Sequence, residues 1–134
     1  MSGIADMLAA AKAARANAHA PYSGFLVGAC VRGRSGRLYA GCNVENAAYP
    51  QGQCAEATAI GVMVAAGEKE IVEILVVAES PEPVSPCGGC RQRLNEFADA
   101  ATPVHLCGLE GVRRTVTLGE LLPLAFGPRQ LGRP

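Results

Sequence analysis

Three cysteines and one glutamate give this sequence its clearest chemical signal. Cys54 stands two residues before Glu56, and about thirty residues later Cys87 and Cys90 form a Pro-Cys-x-x-Cys pattern. Thiolates are soft ligands that suit zinc, and a zinc site with three protein ligands keeps its fourth position for water. The sequence therefore predicts a hydrolytic zinc site in which Glu56 carries protons.

Each part of this pattern has another interpretation when taken alone. The pair Cys87 and Cys90 also fits a redox dithiol, or a turn with two buried thiols, and Glu56 also fits a solvated carboxylate at a helix N-terminus. The combination is narrower, because zinc deaminases share a Cys or His ligand two residues before a non-ligating Glu, followed by Pro-Cys-x-x-Cys. We therefore expect Cys54, Cys87 and Cys90 to bind one zinc ion.

The elements that must position these residues follow from hydrophobic patterns and turn residues. A polar loop over 43–52 is a place where function is expected. The first two strands and the last two should form antiparallel hairpins, because short glycine-containing links join them. The order of elements predicts an α/β fold with helices packed on a mixed sheet. We predict helices over 4–18, 54–66 (ended by Gly67) and 88–97, strands over 25–32, 37–44, 71–78, 104–107 and 113–117, and a last turn over 120–122.

The predicted helices bear directly on the zinc site. Cys54 and the Cys87 to Cys90 pair fall at the starts of the second and third helices. A helix N-terminus carries partial positive charge and free N–H groups, which lower the pKa of a thiol. The other thiols, Cys30, Cys42 and Cys107, are expected to be small buried core residues. We assign neither His19 nor His105 to zinc.

Composition limits the classes of protein. At 134 residues with 49% hydrophobic side chains, the chain is expected to form one domain over 1–134. Twelve basic and twelve acidic side chains cancel, so the positive field that grips nucleic-acid polymers is missing. We predict no secretory leader and no membrane span, and we expect reduced thiols. The expectation is a cytoplasmic protein that binds a small molecule.

Several separate motifs, spread in order over nearly the whole chain, resemble the small homotetrameric cytidine deaminases. They lie at 21–23, 41–49, 54–56, 85–92 and 120–123. The resemblance implies a three-layer fold, in which a five-stranded mixed sheet has helices on both faces. It also implies pyrimidine salvage by hydrolysis of cytidine and 2′-deoxycytidine to the uridines and ammonia, with one zinc ion per subunit.

The resemblance further implies which residues contact the nucleoside. Asn43 and Glu45 would bind the ribose hydroxyls, although both also fit loop capping. Phe25 would pack on the pyrimidine face, although a phenylalanine that opens a strand is more often core. The remaining contacts within the subunit would come from Asn46, Ala47 and Ala55.

In this family the site borrows residues from neighbouring subunits. That implies roles for Ala48 and Tyr49 near the sugar and for Phe126 stacked on the base. Phe126 lies in a tail over about 124–134, which is expected to contact a neighbouring subunit. With little core to join, this aromatic residue needs a partner in any case.

One position departs from the family pattern. Many members with three cysteine ligands carry arginine after the catalytic glutamate, where its charge offsets the thiolates, but this chain has Ala57. We hypothesise that the two helix N-termini, together with Arg91 or Arg93, supply the compensating charge.

Other functions remain open from sequence. Within the deaminases, the substrate could be another aminopyrimidine nucleoside, such as a nucleoside antibiotic. A polynucleotide substrate is disfavoured by the neutral charge and by the antiparallel final hairpin. Outside the deaminases, the alternatives are a thiol redox protein that uses Cys87 and Cys90, or a zinc protein without turnover.

Overall fold

Five strands form the central sheet of the computed structural model, which describes residues 3–133. The strands are β1 (Val27–Gly33), β2 (Leu38–Cys42), β3 (Ile71–Ala78), β4 (Pro103–Gly108) and β5 (Gly111–Thr117). Their order across the sheet is β2-β1-β3-β4-β5. β3 and β4 are parallel, whereas β1 pairs antiparallel with β2 and β3, and β4 pairs antiparallel with β5. The predicted mixed sheet and both predicted hairpins are confirmed.

Helices cover both faces of this sheet, as predicted. They are α1 (Ile4–Arg15), α2 (Ala55–Ala65), α3 (Gly88–Asn95) and the short α4 (Leu118–Leu121), with 3₁₀ turns at Tyr49–Gln51 and Pro128–Leu131. On one face, α1 packs against a cluster that includes Cys30, Leu75 and Val77. On the other face, α2 and α3 enclose the larger core around Val76, Met63 and Leu94. None of the described helices has the length and hydrophobicity needed to cross a membrane.

The boundaries differ from prediction where side chains capture the backbone. The first strand begins at Val27 rather than at residue 25, because the N–H of Phe25 donates to Ser23 Oγ and its carbonyl accepts from Asn43 Nδ2. The last turn begins at Leu118 because Thr117 and Glu120 form a capping box.

Three helices end earlier than predicted: α1 by three residues, α2 by one and α3 by two. Gly67 adopts φ of 93° after α2, a conformation that glycine tolerates best. Just beyond α1 and α3, several backbone N–H groups donate to the carbonyl three residues earlier instead of four, so the α-helical pattern stops there. One expectation about the cysteines was wrong: Cys42 ends β2 half-buried, whereas Cys30 and Cys107 are buried. Three residues of the predicted domain, Met1, Ser2 and Pro134, lie outside the described part.

Candidate metal centre and active site

The thiols of Cys54, Cys87 and Cys90 converge where α2 and α3 begin. Cys54 and Cys87 are the N-cap residues of the two helices, and Cys90 lies in the first turn of α3. The three Sγ atoms lie within 4.8 Å of one another, and those of Cys54 and Cys87 are 3.7 Å apart. Tetrahedral zinc with bonds of about 2.3 Å would separate two sulfurs by roughly 3.8 Å. The donor set therefore fits zinc, and no fourth protein ligand joins it among residues 3–133.

A close contact between α2 and β2 places Cys54 in this cluster. A Cβ atom at Gly41 would lie 2.5 Å from the backbone nitrogen of Ala59, so the helix rests directly on the strand. The Oγ1 of Thr58 donates to the carbonyl of Cys42 at 2.8 Å and accepts from Gln53 Nε2 at 2.8 Å. These contacts fix the start of α2 against the end of β2.

The thiols differ in acidity because they share protons. Hydrogen bonding, first from Cys90 and then from Cys87, lowers the pKa of Cys54 to about 6. The same contact with Cys54 raises the pKa of Cys90, and burial adds to that rise. The pKa of Cys54 is therefore lowered, as expected, but by its neighbouring thiols rather than by the helix N-terminus, and the pKa of Cys90 is raised. Contact between neighbouring sulfurs outweighs position in the helix, since a proton retained by one thiol stabilises the adjacent thiolate.

Glu56 lies in the first turn of α2 and is almost fully buried, with 4% of its surface exposed. Burial raises the pKa of its carboxyl above the ordinary value, and the neighbouring charge of Cys54 raises it further, while its own backbone N–H and the thiol of Cys90 act in the opposite direction. The solvated carboxylate considered from sequence is therefore wrong. A carboxylate of raised pKa is a stronger base than an ordinary glutamate, which suits it to accept a proton.

The cluster borders a cavity of about 290 Å³, close to the lower end of the roughly 300–1,000 Å³ typical of small-molecule sites. Seven lining residues were predicted as site residues: Phe25, Asn43, Glu45, Cys54, Ala55, Glu56 and Cys87. Sequence reasoning missed the other five lining residues, which are Ser23, Val27, Val76, Val84 and Ser85. Ser23 and Ser85 lie inside the motifs at 21–23 and 85–92, and membership of those motifs is the only sequence feature that could have indicated them.

Asn43 and Glu45 hold the segment that carries Phe25. Asn43 Oδ1 accepts from the N–H of Val27 at 2.9 Å, and Nδ2 donates to the carbonyl of Phe25 at 2.8 Å. Glu45 accepts from the N–H groups of Tyr22 and Ser23 at 3.0 and 3.1 Å, and also from the Ser23 hydroxyl. The Ser23 hydrogen bond lowers the pKa of Glu45, which keeps the carboxylate ionised. Both side chains retain further hydrogen-bonding capacity for a ligand.

Phe25 is 41% exposed, so the alternative of a core phenylalanine is wrong. Asn46 and Tyr49 line a second cavity of about 370 Å³, together with Tyr22, Ser23 and Glu45. Because Glu45 and Ser23 line both cavities, the two adjoin. Ala47 and Ala48 are exposed and line neither of these cavities.

Phe126 lies apart from both cavities and is 56% exposed. Its carbonyl accepts hydrogen bonds from Gln92 Nε2 at 2.8 Å and Asn95 Nδ2 at 3.1 Å, both on α3. The tail is therefore held against the helix that carries two of the thiols, with the aromatic ring facing outward.

The two arginines considered for charge compensation have different surroundings. Arg91 donates to the carbonyls of Pro86 and Leu121 and to Ser85 Oγ. Arg93 is exposed, and its charge lowers the pKa of Cys54 and of Glu56. Of the two, the electrostatic influence on the site comes from Arg93.

Comparisons with known proteins agree with this geometry. The family described as the cytidine and deoxycytidylate deaminase zinc-binding region matches residues 1–106. The cytidine deaminase of Sporosarcina psychrophila is 42% identical over 128 residues, covering 96% of this chain and 94% of the relative. The cytidine deaminase of Halalkalibacterium halodurans is 44% identical over 113 residues, covering 84% and 86%. The crystal structure of cytidine deaminase from Burkholderia pseudomallei superposes with a TM-score of 0.88 at 42% identity, covering 93% of this chain and 100% of that one.

Proposed function

Because this chain belongs to the family of cytidine and deoxycytidylate deaminases, we propose that it hydrolyses cytidine and 2′-deoxycytidine to the uridines and ammonia. One observation carries the proposal. Three thiols suited to zinc and the buried Glu56 meet at a cavity that is also lined by Phe25, Asn43 and Glu45. An aromatic ring, an amide and a carboxylate are groups that a base and a ribose can contact.

The residues of the chain divide the chemistry between them. Cys54, Cys87 and Cys90 hold zinc, which when bound acts as a Lewis acid and lowers the pKa of water. Glu56 takes one proton from the attacking water and passes it to a ring nitrogen of the base. After the attack it takes the second proton from the new hydroxyl and gives it to the departing amine, which leaves as ammonia. Burial supports this role, because a carboxylate that is costly to keep ionised takes up a proton from water more readily than an ordinary glutamate does.

The walls of the cavity would orient the nucleoside. In this proposal, Phe25 packs on the pyrimidine face, while Asn43 and Glu45 bind the ribose hydroxyls. The contacts of Asn43 and Glu45 with 22–27 support this, because they fix both polar groups before a ligand arrives. Asn46, Ala47 and Ala55 complete the proposed contacts within one subunit.

We also propose a homotetramer in which sites are shared between subunits. The outward face of α2 supports this, because Val62 and Val64 are 45% and 37% exposed and no charged residue follows Glu56 within the helix. A helix that is apolar all round is usually buried, and a second copy of this chain is the partner we propose. Ala48, Tyr49 and Phe126 would then serve a neighbouring site. Their exposure, and their absence from the lining of the cavity that borders the thiols, support that assignment.

Two broader proposals complete the description. We propose that 1–134 form one domain whose tail over about 124–134 contacts a neighbouring subunit. We also propose a cytoplasmic location, supported by six cysteines that are all free thiols.

The decisive experiment is an ultraviolet and ammonia assay of the purified protein on cytosine, cytidine, deoxycytidine and cytidylate, with zinc measured per chain. We expect one zinc per chain and turnover of the two nucleosides. Turnover of a different aminopyrimidine nucleoside would transfer the proposal to that substrate. A zinc-free protein that reduces disulfides would contradict it. Native mass spectrometry of wild type and Val62→Glu tests the tetramer, because a charge on α2 should disrupt it.

A further inference from the structure

The loop over 79–87 forms one wall of the candidate site without any helix or strand of its own. It connects β3 to α3, contains Pro81, Pro83 and Pro86, places Val84 and Ser85 at the cavity, and ends at Cys87. Hydrogen bonds from elsewhere must therefore define its path. Its position matters to the metal centre, because it delivers Cys87 to within 3.7 Å of the Cys54 sulfur.

Two arginines grip this loop, one at each end. At the start, Arg113 of β5 donates to the carbonyls of Ser80 and Pro81, both at 2.6 Å. At the end, Arg91 of α3 donates through Nε to the carbonyl of Pro86 at 2.7 Å and through Nη2 to Ser85 Oγ at 2.8 Å. Of these two arginines, Arg91 contacts the part of the loop that borders the cavity and Arg113 does not.

A third hydrogen bond of Arg91 connects the loop to α4. Its Nη1 donates to the carbonyl of Leu121 at 2.9 Å, where α4 ends. One half-buried guanidinium therefore joins α3, α4 and the residues just before Cys87. A planar guanidinium fixes the directions of its five donors, whereas an ammonium at the same place is a single rotating centre.

We propose that Arg91 is a positioning residue for the metal centre, which holds Ser85 and Pro86 so that Cys87 stays in register with Cys54 and Cys90. This inference rests on the proposed zinc chemistry, and it assigns Arg91 no contact with substrate. Within the described residues, three hydrogen bonds of the Arg91 side chain each go to an oxygen atom of the protein. Arg113 holds the distant end of the same loop and contributes to stability only.

Replacing Arg91 should therefore loosen metal binding more than its effect on stability explains. We expect Arg91→Gln and Arg91→Lys to weaken zinc binding by roughly 10–100-fold, the range found when residues that orient metal ligands are changed. The matched control is Arg113→Gln, which removes two hydrogen bonds from the same loop and should leave zinc affinity within about twofold of wild type.

The experiment measures zinc affinity by competition with a chromophoric chelator, the spectrum of the cobalt(II)-loaded protein, and unfolding in urea. We expect altered cobalt–thiolate bands and weaker zinc binding for the Arg91 variants, and wild-type values for Arg113→Gln. If Arg91→Gln and Arg113→Gln lose similar stability and bind both metals like wild type, Arg91 is merely structural. If the Arg91 variants do not fold, Ser85→Ala removes one acceptor and should still lower zinc affinity relative to Arg113→Gln; an unchanged affinity would overturn the proposal.

Cytidine turnover by wild type is recorded separately. Protein that binds cobalt through its thiols but releases no ammonia would overturn the proposed function and leave the role of Arg91 to the metal measurements. If wild type deaminates cytidine while the Arg91 variants keep full metal affinity, the proposed function stands and the proposed role of Arg91 is overturned.

Discussion

Two carboxylates on opposite sides of the same sheet, the half-buried Glu73 and the buried Glu56, have opposite surroundings. Glu73 lies on β3, on the face where Leu75 and Val77 pack against α1. It accepts from Arg32 Nε at 2.9 Å and from His105 Nε2 at 2.7 Å. Glu56, beneath the metal centre, has no ion-pair partner within 4.0 Å in the part of the chain that the structure describes.

Their proton affinities differ accordingly. Burial alone would raise the pKa of Glu73, but hydrogen bonds from His105 and Arg32 outweigh it, so the pKa is lowered. Burial raises the pKa of Glu56, and no such partners reverse the effect. A carboxylate neutralised by its neighbours stabilises the fold, whereas one left without a cation is available for proton transfer.

The largest expected effect separates these two roles. Glu56→Gln should lower kcat for cytidine by about 10²–10⁴-fold, the contribution typical of a general acid and base. Stability should stay the same or rise, because a neutral amide removes the cost of burying a charge. Ammonia release and urea unfolding of the zinc-loaded protein measure the two effects. Turnover within tenfold of wild type would contradict the role of Glu56.

Glu73→Gln should show the reverse pattern. We expect a loss of about 1–3 kcal/mol in the free energy of unfolding, because two charge-assisted hydrogen bonds weaken, and kcat within about twofold of wild type. The matched control is Glu70→Gln, whose pair with Arg34 is exposed and should contribute less than about 1 kcal/mol. Unfolding is compared at one protein concentration, since association also contributes to stability. A large fall in kcat for Glu73→Gln would end the distinction between the two carboxylates.

How far the sequence predicts these two regions depends on the range of their contacts. Cys54 and Glu56 are two residues apart, and Cys87 and Cys90 three, so local spacing was enough to place them at helix starts. Glu73 meets its partners only through strand register, which no local pattern specifies.

The register shows what local reasoning lacked. Arg32 of β1 pairs directly with Glu73, and His105 of β4 pairs with Leu75, two residues along β3. The partners of His105, which are Glu73 and Thr115, could not be predicted from local sequence. The grip of Arg91 on 85–86 escaped prediction for the same reason, because it depends on how α3 and α4 pack.

The pH dependence of stability gives a smaller test of the same comparison. Hydrogen bonds from His105 and Arg32 hold the pKa of Glu73 in the folded protein below its ordinary value, so its stabilising contribution is complete above the unfolded pKa and is lost as pH falls through the folded pKa. The stability difference between wild type and Glu73→Gln should therefore be constant near neutral pH and shrink below about pH 4.5. Urea unfolding from pH 7 to pH 3.5 measures it. A difference that grew between pH 4.5 and pH 3.5, where an ordinary glutamate takes up its proton, would show that Glu73 is not held ionised by its neighbours.

The smallest effect concerns Thr115, at the outer end of the polar row formed by Arg32, Glu73, His105 and Thr115. Thr115 Oγ1 lies 2.9 Å from His105 Nδ1, within hydrogen-bonding distance. Thr115→Val keeps the β-branched shape suited to a strand and removes only the hydroxyl. We expect a loss of at most about 1 kcal/mol, because Thr115 is exposed and water can replace it.

The double variant with Glu73→Gln tests whether this row acts as a unit. If the two losses add, Glu73 is held by its two charged contacts alone, and Thr115 only caps an imidazole that would otherwise meet water. Thr115→Val could instead lower the free energy of unfolding as much as Glu73→Gln does, with no further loss in the double variant. The row would then be one cooperative network across β1, β3, β4 and β5. Glu73 would then differ from Glu56 because a hydrogen-bond network across the sheet holds it, and not only because a cation lies next to it.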